Sequence, residues 1–131
     1  MVRGIGVDMV ELAEFERLCG ELGGLPDEGS AFVRRTFTEA ERMQASARPR
    51  PGEYLAGRFA VKEAVFKAVS GCVPEGFDLR RIESLDDERT GAPHVVMAGE
   101  FGRVAHAAGI SEVLVSITNE GGYVVAVALA Q

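Results

Sequence analysis

The sequence predicts an α+β fold in which a mainly antiparallel sheet packs against one long central helix. The stretch from Tyr54 to Gly71 repeats small and apolar residues at helical spacing, which predicts the central helix. Two runs rich in Val and Ile near the end of the chain flank residues 119–122, Asn-Glu-Gly-Gly, a turn sequence typical of a β-hairpin. Helical patterns come mostly before the extended ones, which is the order typical of α+β proteins.

The composition indicates a globular protein that does not enter a membrane. The chain has 131 residues, so we expect a single domain over residues 1–131. Hydrophobic residues make up 47% of it, yet no apolar stretch approaches the roughly 20 residues that a membrane span needs. Arg3 and Asp8 interrupt the first apolar residues, so we expect no signal peptide. These observations predict a cytoplasmic protein without a membrane partner.

Charge and cysteine content exclude two further classes. The formal net charge of −6 argues against a nucleic-acid binder, because clustered Lys and Arg are needed to hold a phosphate backbone. Cys19 and Cys72 have no CxxC spacing and no His nearby, so we expect reduced thiols and no zinc site. His94 and His106 belong to no motif and are expected to be ordinary surface or packing residues.

The first half of the chain predicts a strand followed by short helices. Val2 to Asp8 is extended in pattern, and its two glycines let another backbone or a ligand approach closely. The third of the helices should begin at the capping box formed by residues 38–41, Thr-Glu-Ala-Glu. Residues 46–52, rich in Arg and Pro, predict a stiff basic connector. The predicted helices are Glu11–Leu22, ended by Gly23 and Gly24, then Ala31–Thr36, and Thr38 to about Ala45, with a loop over Leu25–Ser30 between the first two.

The second half predicts hairpins and one more helix. A turn cluster that contains Gly91 and Pro93 should join two extended runs into a hairpin. Gly109 should end the following helix. The predicted strands are Leu79–Leu85, His94–Met97, Glu112–Thr118 and Tyr123–Ala130, and the predicted helix is Gly99–Ala108.

The charged half of the central helix suggests a site. It carries Arg58, Lys62, Glu63 and Lys67, with two phenylalanines among them, which is unusual for a fully solvated face. In one interpretation Glu63 and Lys67 form a surface pair worth about 0.2 to 0.5 kcal/mol and the other cations extend past the phenylalanines. In the other, the cations contact phosphates while Glu63 helps to hold a divalent cation.

Asp8 is the candidate for a second carboxylate. It follows an extended run, and open sheets often place ligand-binding groups at strand ends. An Asp before an apolar periodic run is also a common N-cap residue, so Asp8 has a purely structural alternative as the cap of the first helix.

Several motifs, taken together, resemble one known family. In chain order they are Gly4-Ile-Gly-Val-Asp8-Met-Val-Glu11, Phe37-Thr-Glu-Ala-Glu41, Ala56-Gly-Arg-Phe-Ala-Val-Lys-Glu-Ala64, Gly91-Ala-Pro93 and Val115-Ser-Ile-Thr118. Their sequence and order are similar to those of the holo-acyl-carrier-protein synthase family of 4′-phosphopantetheinyl transferases. The resemblance spans nearly the whole chain, and the pairing of a GIGxD strand with an RFAxKEA helix makes it specific.

The resemblance implies a fold of the 4′-phosphopantetheinyl transferase type and an activity. Such enzymes transfer the phosphopantetheine arm of coenzyme A to a serine of an acyl carrier protein and release adenosine 3′,5′-bisphosphate. By this likeness Asp8 and Glu63 would hold Mg²⁺ and, with Lys67, form the catalytic set. The metal would bridge the pyrophosphate and neutralise charge on the leaving group. Family members of this short type are typically trimers with each site built between neighbouring subunits, which implies a homotrimer.

The same likeness assigns the remaining coenzyme A contacts. Lys62, Lys67 and Arg58 would hold the phosphates electrostatically. Gly91 and Pro93 would shape the backbone beside the nucleotide. Where many relatives carry His, this chain has Asn119, which can hydrogen-bond a phosphate or a hydroxyl but cannot act as a base.

The first helix also departs from the family pattern. Relatives tend to be basic there, to meet an acidic carrier protein, whereas this helix carries four acids and one base. Because electrostatic complementarity mainly sets association rate and partner choice, docking of the carrier protein is expected to differ. These charged residues are Glu11, Glu14, Glu16, Arg17 and Glu21.

Two alternatives to the transferase follow from these departures and from the site chemistry. One is a non-catalytic module that binds coenzyme A or a carrier protein, which Asn119 and the acidic helix would suit. The other is an unrelated metal-dependent phosphohydrolase, which would leave the resemblance over the whole chain unexplained.

Overall fold

The computed structural model describes residues 1–20 and 30–131. A short 3₁₀ turn, Leu79–Arg81, lies between the longest helix and the second strand. The helices are α1 (Leu12–Leu18), α2 (Ala31–Thr36), α3 (Glu39–Ser46), α4 (Pro51–Ala68) and α5 (Gly99–Ala107). The strands are β1 (Gly4–Glu11), β2 (Ser84–Asp86), β3 (Pro93–Val95), β4 (Val113–Glu120) and β5 (Tyr123–Ala130).

The main sheet has the antiparallel order β1-β5-β4, and β2 pairs with β3 in a separate two-stranded sheet. The ends of the chain meet in the main sheet, where Gly4 and Val113 lie on either side of Ala130. Helix α4 packs across one face of this sheet, with Ala60, Val61 and Ala64 fully buried. The structure therefore confirms the predicted α+β class with its central helix and antiparallel sheet.

Small residues allow β1 to lie directly on α4. A Cβ atom built on Gly6 would lie 1.9 Å from the carbonyl oxygen of Ala64, and one on Gly4 would lie 1.9 Å from that of Ala68. Only glycine fits at this separation, because the obstructing atoms belong to helix backbone that cannot move aside. Since side chains alternate along a strand, Asp8 and Val10 face α4 with the two glycines, while the residues between them face away.

We expect Gly6→Ala to lower the free energy of unfolding by about 3 kcal/mol, because the new methyl group overlaps the α4 backbone. Chemical denaturation followed by circular dichroism measures the change. The matched control is Gly71→Ala, since a Cβ there meets nothing within 4 Å. That variant should stay within about 0.5 kcal/mol of the wild type. Equal stability of the two variants would contradict the close contact.

A cluster of phenylalanines supports the other side of α4. Phe15 of α1 contacts Phe59 of α4 at a ring-centroid distance of 5.5 Å, and Phe32 of α2 contacts the same ring at 5.9 Å. Phe37 completes the cluster through edge contacts with Phe15 and Phe32. This packing explains why Phe59 lies among the charged residues of α4: it anchors α1 and α2 beside them.

Local sequence signals agree closely with the first half of the structure. Helix α2 has the predicted bounds, and the predicted capping box is present: the Thr38 hydroxyl accepts from the Glu41 backbone and the Glu41 side chain accepts from the Thr38 backbone. The central helix begins at Pro51 rather than Tyr54, because proline suits the first helical turn. Because Pro51 and Gly52 belong to this helix, the basic connector is shorter than predicted. Helix α1 covers Leu12–Leu18 rather than the predicted Glu11–Leu22, because Glu11 belongs to β1 and the helix ends at Cys19, before Gly20 with its φ of +83°. The predicted residues Glu21, Leu22, Gly23 and Gly24 lie outside the described residues, as does the Leu25–Gly29 part of the predicted loop.

Two further sequence-based predictions are corrected. The predicted strand Leu79–Leu85 is a 3₁₀ turn followed by β2, since the Asp78 side chain accepts the Arg80 amide and begins the turn. The structural alternative for Asp8 as a helix cap is wrong: Asp8 lies within β1, and the residue before α1 is Glu11, which makes no side-chain cap. The hairpin of β2 and β3 and the helix that begins at Gly99 are present as predicted.

Both cysteines are free thiols. Burial, with a smaller effect from the Glu16 carboxylate, raises the pKa of Cys19 to about 12, whereas Cys72 is exposed. Among the helices of residues 1–20 and 30–131, none has the length and apolar character that a membrane crossing requires.

Candidate active site

All the predicted site residues except Lys62 lie in two different cavities of one chain. The first, which we call the carboxylate pocket, has a volume of about 490 Å³ and is lined by Asp8, Glu63 and Lys67 among others. The second, which we call the arginine pocket, has a volume of about 760 Å³. Its polar lining consists of Arg48, Arg50, Glu53, Tyr54, Arg58, Asp86, Thr118 and Asn119, and the predicted Gly91 and Pro93 also line it.

The β1–α4 contact assembles the carboxylate pocket. Glu63 and Lys67 are one helical turn apart on α4, and Asp8 faces them from β1. Lys67 Nζ donates to Asp8 Oδ1 at 3.2 Å and to the Val7 carbonyl at 2.9 Å. The Lys67 side chain remains 53% exposed, while that of Asp8 is 18% exposed. Lys67 is therefore fixed across the fold by its contacts with β1.

Two carboxylates, those of Asp8 and Glu63, share this pocket. Burial and, second, the negative charge of Asp8 raise the pKa of Glu63, whereas the Lys67 ammonium opposes that shift. Paired carboxylates whose charges repel in a partly buried place are a suitable donor set for a divalent cation. Within residues 1–20 and 30–131, no group of three or more His, Cys, Asp or Glu side chains is placed to hold a metal. Two carboxylates fit Mg²⁺, which usually keeps several waters and completes its shell with substrate phosphates.

Replacing Lys67 with Met should raise the pKa of Glu63 further, because the ammonium that favours its ionised form is removed. Titration of the Glu63 side-chain carboxyl by NMR in metal-free buffer measures the shift. The matched control is Arg103→Met, which removes an exposed cation that pairs with Glu100 on α5. That variant should leave the Glu63 titration unchanged. A Glu63 pKa that does not rise in Lys67→Met would contradict the electrostatic coupling.

The arginine pocket is built around Tyr54 and Asp86. The Arg58 guanidinium carbon lies 4.6 Å from the Tyr54 ring centre, and that of Arg48 lies 5.2 Å from it. Arg48 Nη2 donates to Asp86 Oδ2 at 3.0 Å, and Arg58 Nη1 lies 2.9 Å from Asp86 Oδ1. Burial raises the pKa of Tyr54, the two arginines oppose the shift and the Asp86 carboxylate adds to it. The tyrosine is therefore neutral at physiological pH and presents its ring to both guanidinium groups.

The turn after β2 and the end of β4 complete the arginine pocket. Gly91 has φ of +76°, a conformation that favours glycine, and Pro93 begins β3 just after it. Asn119 is exposed near the end of β4, and its Nδ2 donates to Glu53 Oε1 at 3.0 Å. The other Glu53 oxygen lies 3.5 Å from Arg50, so Asn119 belongs to a chain of polar contacts at the pocket rim.

The position of Lys62 contradicts its predicted role as a phosphate contact. Its side chain is completely buried, and Nζ makes an ion pair with Glu41 Oε1 at 2.9 Å. The same ammonium donates to the carbonyls of Leu79 at 3.1 Å and Ile82 at 2.8 Å. Burial lowers the pKa of Lys62, and the Glu41 carboxylate acts against that shift. All three ammonium donors are used inside the protein, so Lys62 joins α4 to α3 and to the turn before β2.

Several residues that line the arginine pocket belong to no sequence motif, among them Arg48, Tyr54 and Asp86. Arg48 belongs to the predicted stiff basic connector, and Tyr54 is the first residue of the predicted central helix. Asp86 was included in a turn cluster, where acidic residues are common. Arg48-Pro49-Arg50-Pro51 was the available signal, because prolines hold two nearby arginines at a fixed place beside the helix start.

The chain is similar to known proteins in both sequence and fold. The model of the 4′-phosphopantetheinyl transferase superfamily matches residues 4–128. The holo-[acyl-carrier-protein] synthase of Anaeromyxobacter dehalogenans (strain 2CP-C) is 34% identical over 131 residues, which cover 100% of this chain and 97% of that protein. The chain therefore belongs to the 4′-phosphopantetheinyl transferase superfamily, as its motifs predicted.

Solved structures show the same architecture. The crystal structure of holo-[acyl-carrier-protein] synthase from Neisseria meningitidis superposes with a TM-score of 0.84 at 32% identity, covering 100% of this chain and 99% of that one. An ACPS–CoA complex from Chronobacterium ammoniagenes superposes with a TM-score of 0.78 at 30% identity, covering 98% of this chain and 96% of that one.

Proposed function

We propose that this protein transfers the 4′-phosphopantetheine group of coenzyme A to a serine of an apo acyl carrier protein, in the cytoplasm and with Mg²⁺. The observation that carries the proposal is the meeting of Asp8, Glu63 and Lys67 in one pocket of a chain that belongs to the phosphopantetheinyl transferase superfamily. Two solved relatives also have this fold, and one of them is a complex with CoA.

In the proposed reaction the serine Oγ attacks the phosphorus on the pantetheine side of the coenzyme A pyrophosphate. The bond between that phosphorus and the bridging oxygen breaks, the serine proton is released, and adenosine 3′,5′-bisphosphate leaves. Asp8 and Glu63 would hold Mg²⁺, which when bound supplies positive charge to the pyrophosphate and its leaving oxygen. Lys67 adds a partly exposed ammonium beside them, which can donate to a phosphate oxygen.

The arginine pocket would receive the nucleotide end of coenzyme A. Arg58 supplies a buried positive charge, and Gly91 and Pro93 shape the backbone of the turn that lines the cavity. Asn119 offers its amide to a phosphate or a hydroxyl in place of an imidazole. We assign no ligand role to Lys62, because its ammonium is already satisfied within the core.

The outer face of the main sheet supports assembly into a homotrimer. Side chains that face away from α4 leave an apolar surface whose exposed residues range from 40% for Val127 to 68% for Ile5. Association of copies would bury this surface. The exposed apolar residues of this face are Ile5, Val7, Met9, Leu114 and Val127.

Assembly would also combine the two pockets. Asp8 lies on β1 and Asn119 on β4, and these strands are the two edges of the sheet. A ring in which the β1 edge of one copy meets the β4 edge of the next would place the carboxylate pocket of one chain against the arginine pocket of its neighbour. Such head-to-tail contacts close into cyclic oligomers. We propose that one active site is formed in this way at each interface.

Incubation of an apo acyl carrier protein with this protein, coenzyme A and Mg²⁺ should increase the mass of the carrier protein by one phosphopantetheine, about 340 Da. Intact-mass spectrometry detects the change. Chelation of the metal should abolish the increase, because hard divalent cations are needed to neutralise the pyrophosphate. Asp8→Ala should reduce the rate by at least about a hundredfold.

The control for this assay is Glu100→Ala, which removes a carboxylate that pairs with Arg103 on α5, outside the lining of both pockets. It should retain the chelator-sensitive product when the carrier concentration is saturating. An unmodified carrier protein together with retained coenzyme A binding would refute the transferase and favour the non-catalytic binding module, which the Asn119 substitution makes the second candidate.

Mixing two inactive variants should restore activity if each site is shared between chains. Asp8→Ala disables the carboxylate pocket, and the double variant Arg48→Glu/Arg50→Glu reverses charge at the exposed rim of the arginine pocket. Hybrid assemblies formed by mixing and refolding contain interfaces at which both half-sites are intact. The mass assay should show recovery of up to about one third of wild-type activity for a trimer, as symmetry allows. Absence of recovery, with mixed assemblies shown by native mass spectrometry, would contradict the shared site.

A further inference from the structure

Asp86 contacts two arginines of one cavity at once. Its carboxylate lies at the end of β2, with one oxygen 3.0 Å from Arg48 Nη2 and the other 2.9 Å from Arg58 Nη1. The Arg58 side chain is only 5% exposed, and that of Arg48 is 40% exposed. Asp86 thus supplies the negative charge that a buried guanidinium requires.

The contact with Arg58 is electrostatic and incompletely hydrogen-bonded. Although Arg58 Nη1 and Asp86 Oδ1 are close, the arrangement is not that of a hydrogen bond, and Arg58 Nη1 donates instead to Ser84 Oγ at 3.4 Å. Arg58 Nε is buried without a hydrogen-bond partner among the described residues. Arg58 therefore retains donor capacity that its contacts within the protein do not use.

Asp86 itself is held independently of the arginines. The Gln44 side chain accepts from the Asp86 amide at 2.9 Å and donates to the Asp86 carbonyl at 3.0 Å. The Tyr54 hydroxyl donates to the same Gln44 oxygen, and its ring contacts the guanidinium groups of Arg48 and Arg58. Loss of the Asp86 charge would consequently leave the strand and the packing of Arg58 against Tyr54 in place.

We propose that Asp86 is a specificity-determining residue: its carboxylate pairs with Arg48 and Arg58 within the protein and thereby limits the affinity of the arginine pocket for phosphate groups. In the free protein it compensates the buried charge of Arg58. When an anionic ligand is bound, the same carboxylate repels the phosphate. This inference rests on the proposed function for the identity of the ligand, a nucleoside bisphosphate. The expected effect of Asp86 on the binding of an anion depends only on the charges of the pocket.

The charge balance of the cavity indicates the direction of the effect. Arg48, Arg50 and Arg58 bring three positive charges to its lining, and Glu53 and Asp86 bring two negative ones. Asp86→Asn keeps the size of the side chain and removes one negative charge between two guanidinium groups. We expect it to bind adenosine 3′,5′-bisphosphate about tenfold more tightly than the wild type, measured by isothermal titration calorimetry.

Glu53→Gln is the matched control. It removes the same charge from the same cavity, but Glu53 pairs at 3.5 Å with Arg50, whose side chain is 82% exposed and screened by solvent. Its affinity for the bisphosphate should change by less than about threefold. In the transfer assay, Asp86→Asn should lower KM for coenzyme A without raising kcat and should be inhibited more strongly by the bisphosphate product. Equal or weaker bisphosphate binding by Asp86→Asn would overturn the proposal.

Thermal unfolding with inorganic phosphate tests the same idea without reference to the proposed reaction. Asp86→Asn should unfold at a lower temperature than the wild type in phosphate-free buffer, and added phosphate should stabilise it more than it stabilises the wild type or Glu53→Gln. An Asp86→Asn variant that is unfolded at the outset should refold as phosphate is added. The same phosphate response in all three proteins, or a variant that stays unfolded in phosphate, would refute the role of Asp86.

A failure of the proposed function and a failure of the inference about Asp86 would give different experimental results. A wild type that binds neither coenzyme A nor the bisphosphate would refute the proposed function, and the inorganic phosphate titration would still decide the role of Asp86. A wild type that binds the bisphosphate with the same affinity as Asp86→Asn would refute only the inference about Asp86.

Discussion

The close contact between β1 and α4 is the constraint on which the site depends. Gly4 and Gly6 bring the strand so near the helix that any larger side chain would overlap helix carbonyls. The alternation of the strand then fixes which side Asp8 faces, and the helix repeat fixes where Glu63 and Lys67 are. The contact between the β1 glycines and the α4 alanines takes no part in the reaction itself. It nevertheless brings the carboxylate of Asp8 on β1 close to the carboxylate of Glu63 and the ammonium of Lys67 on α4.

A second set of contacts positions the residues of the arginine pocket. The buried Lys62–Glu41 pair attaches α4 to α3, and the second Glu41 oxygen accepts from the backbone amide of Ser84 at the start of β2. Gln44, one turn further along α3, holds Asp86 at the end of the same strand. Helix α3 thus supports β2 along its length, and the position of Asp86 between the arginines follows from that support.

Features set by neighbouring residues could be predicted from the sequence. The capping box at Thr38, the turn between β4 and β5 and the extent of α2 depend on residues within a few positions of each other. The same is true of the repeat of small residues that makes α4 the central helix. The pairing of Asp8 with the α4 charges could be anticipated only because motif likeness added information that spacing does not contain.

Features that depend on distant partners could not be predicted in the same way. Lys62 and Glu63 are adjacent and both charged, so the sequence alone does not distinguish their roles. The packing of α3 and of the turn at Leu79 buries Lys62 in the core, whereas Glu63 lines a pocket. Leu79 to Leu85 has an extended composition, yet the Lys62 ammonium takes the Leu79 and Ile82 carbonyls that a longer strand would need for its own pairing. Asp86 looks like a turn residue until Arg48 and Arg58 are placed beside it.

The adjacency of Lys62 and Glu63 has a consequence for how this helix can vary. Successive residues on a helix point about 100° apart, so a single deletion earlier in α4 would rotate the Lys62 ammonium out of the core and turn the Glu63 carboxylate toward Glu41. Two like charges would then be enclosed together, and the pocket would lose its acid in the same event. The rotation of α4 about its axis is therefore fixed both by the buried Lys62 and by Glu63 in the pocket. We expect insertions and deletions only before Pro51 and after Ala68, whereas substitutions within the helix leave this rotation unchanged.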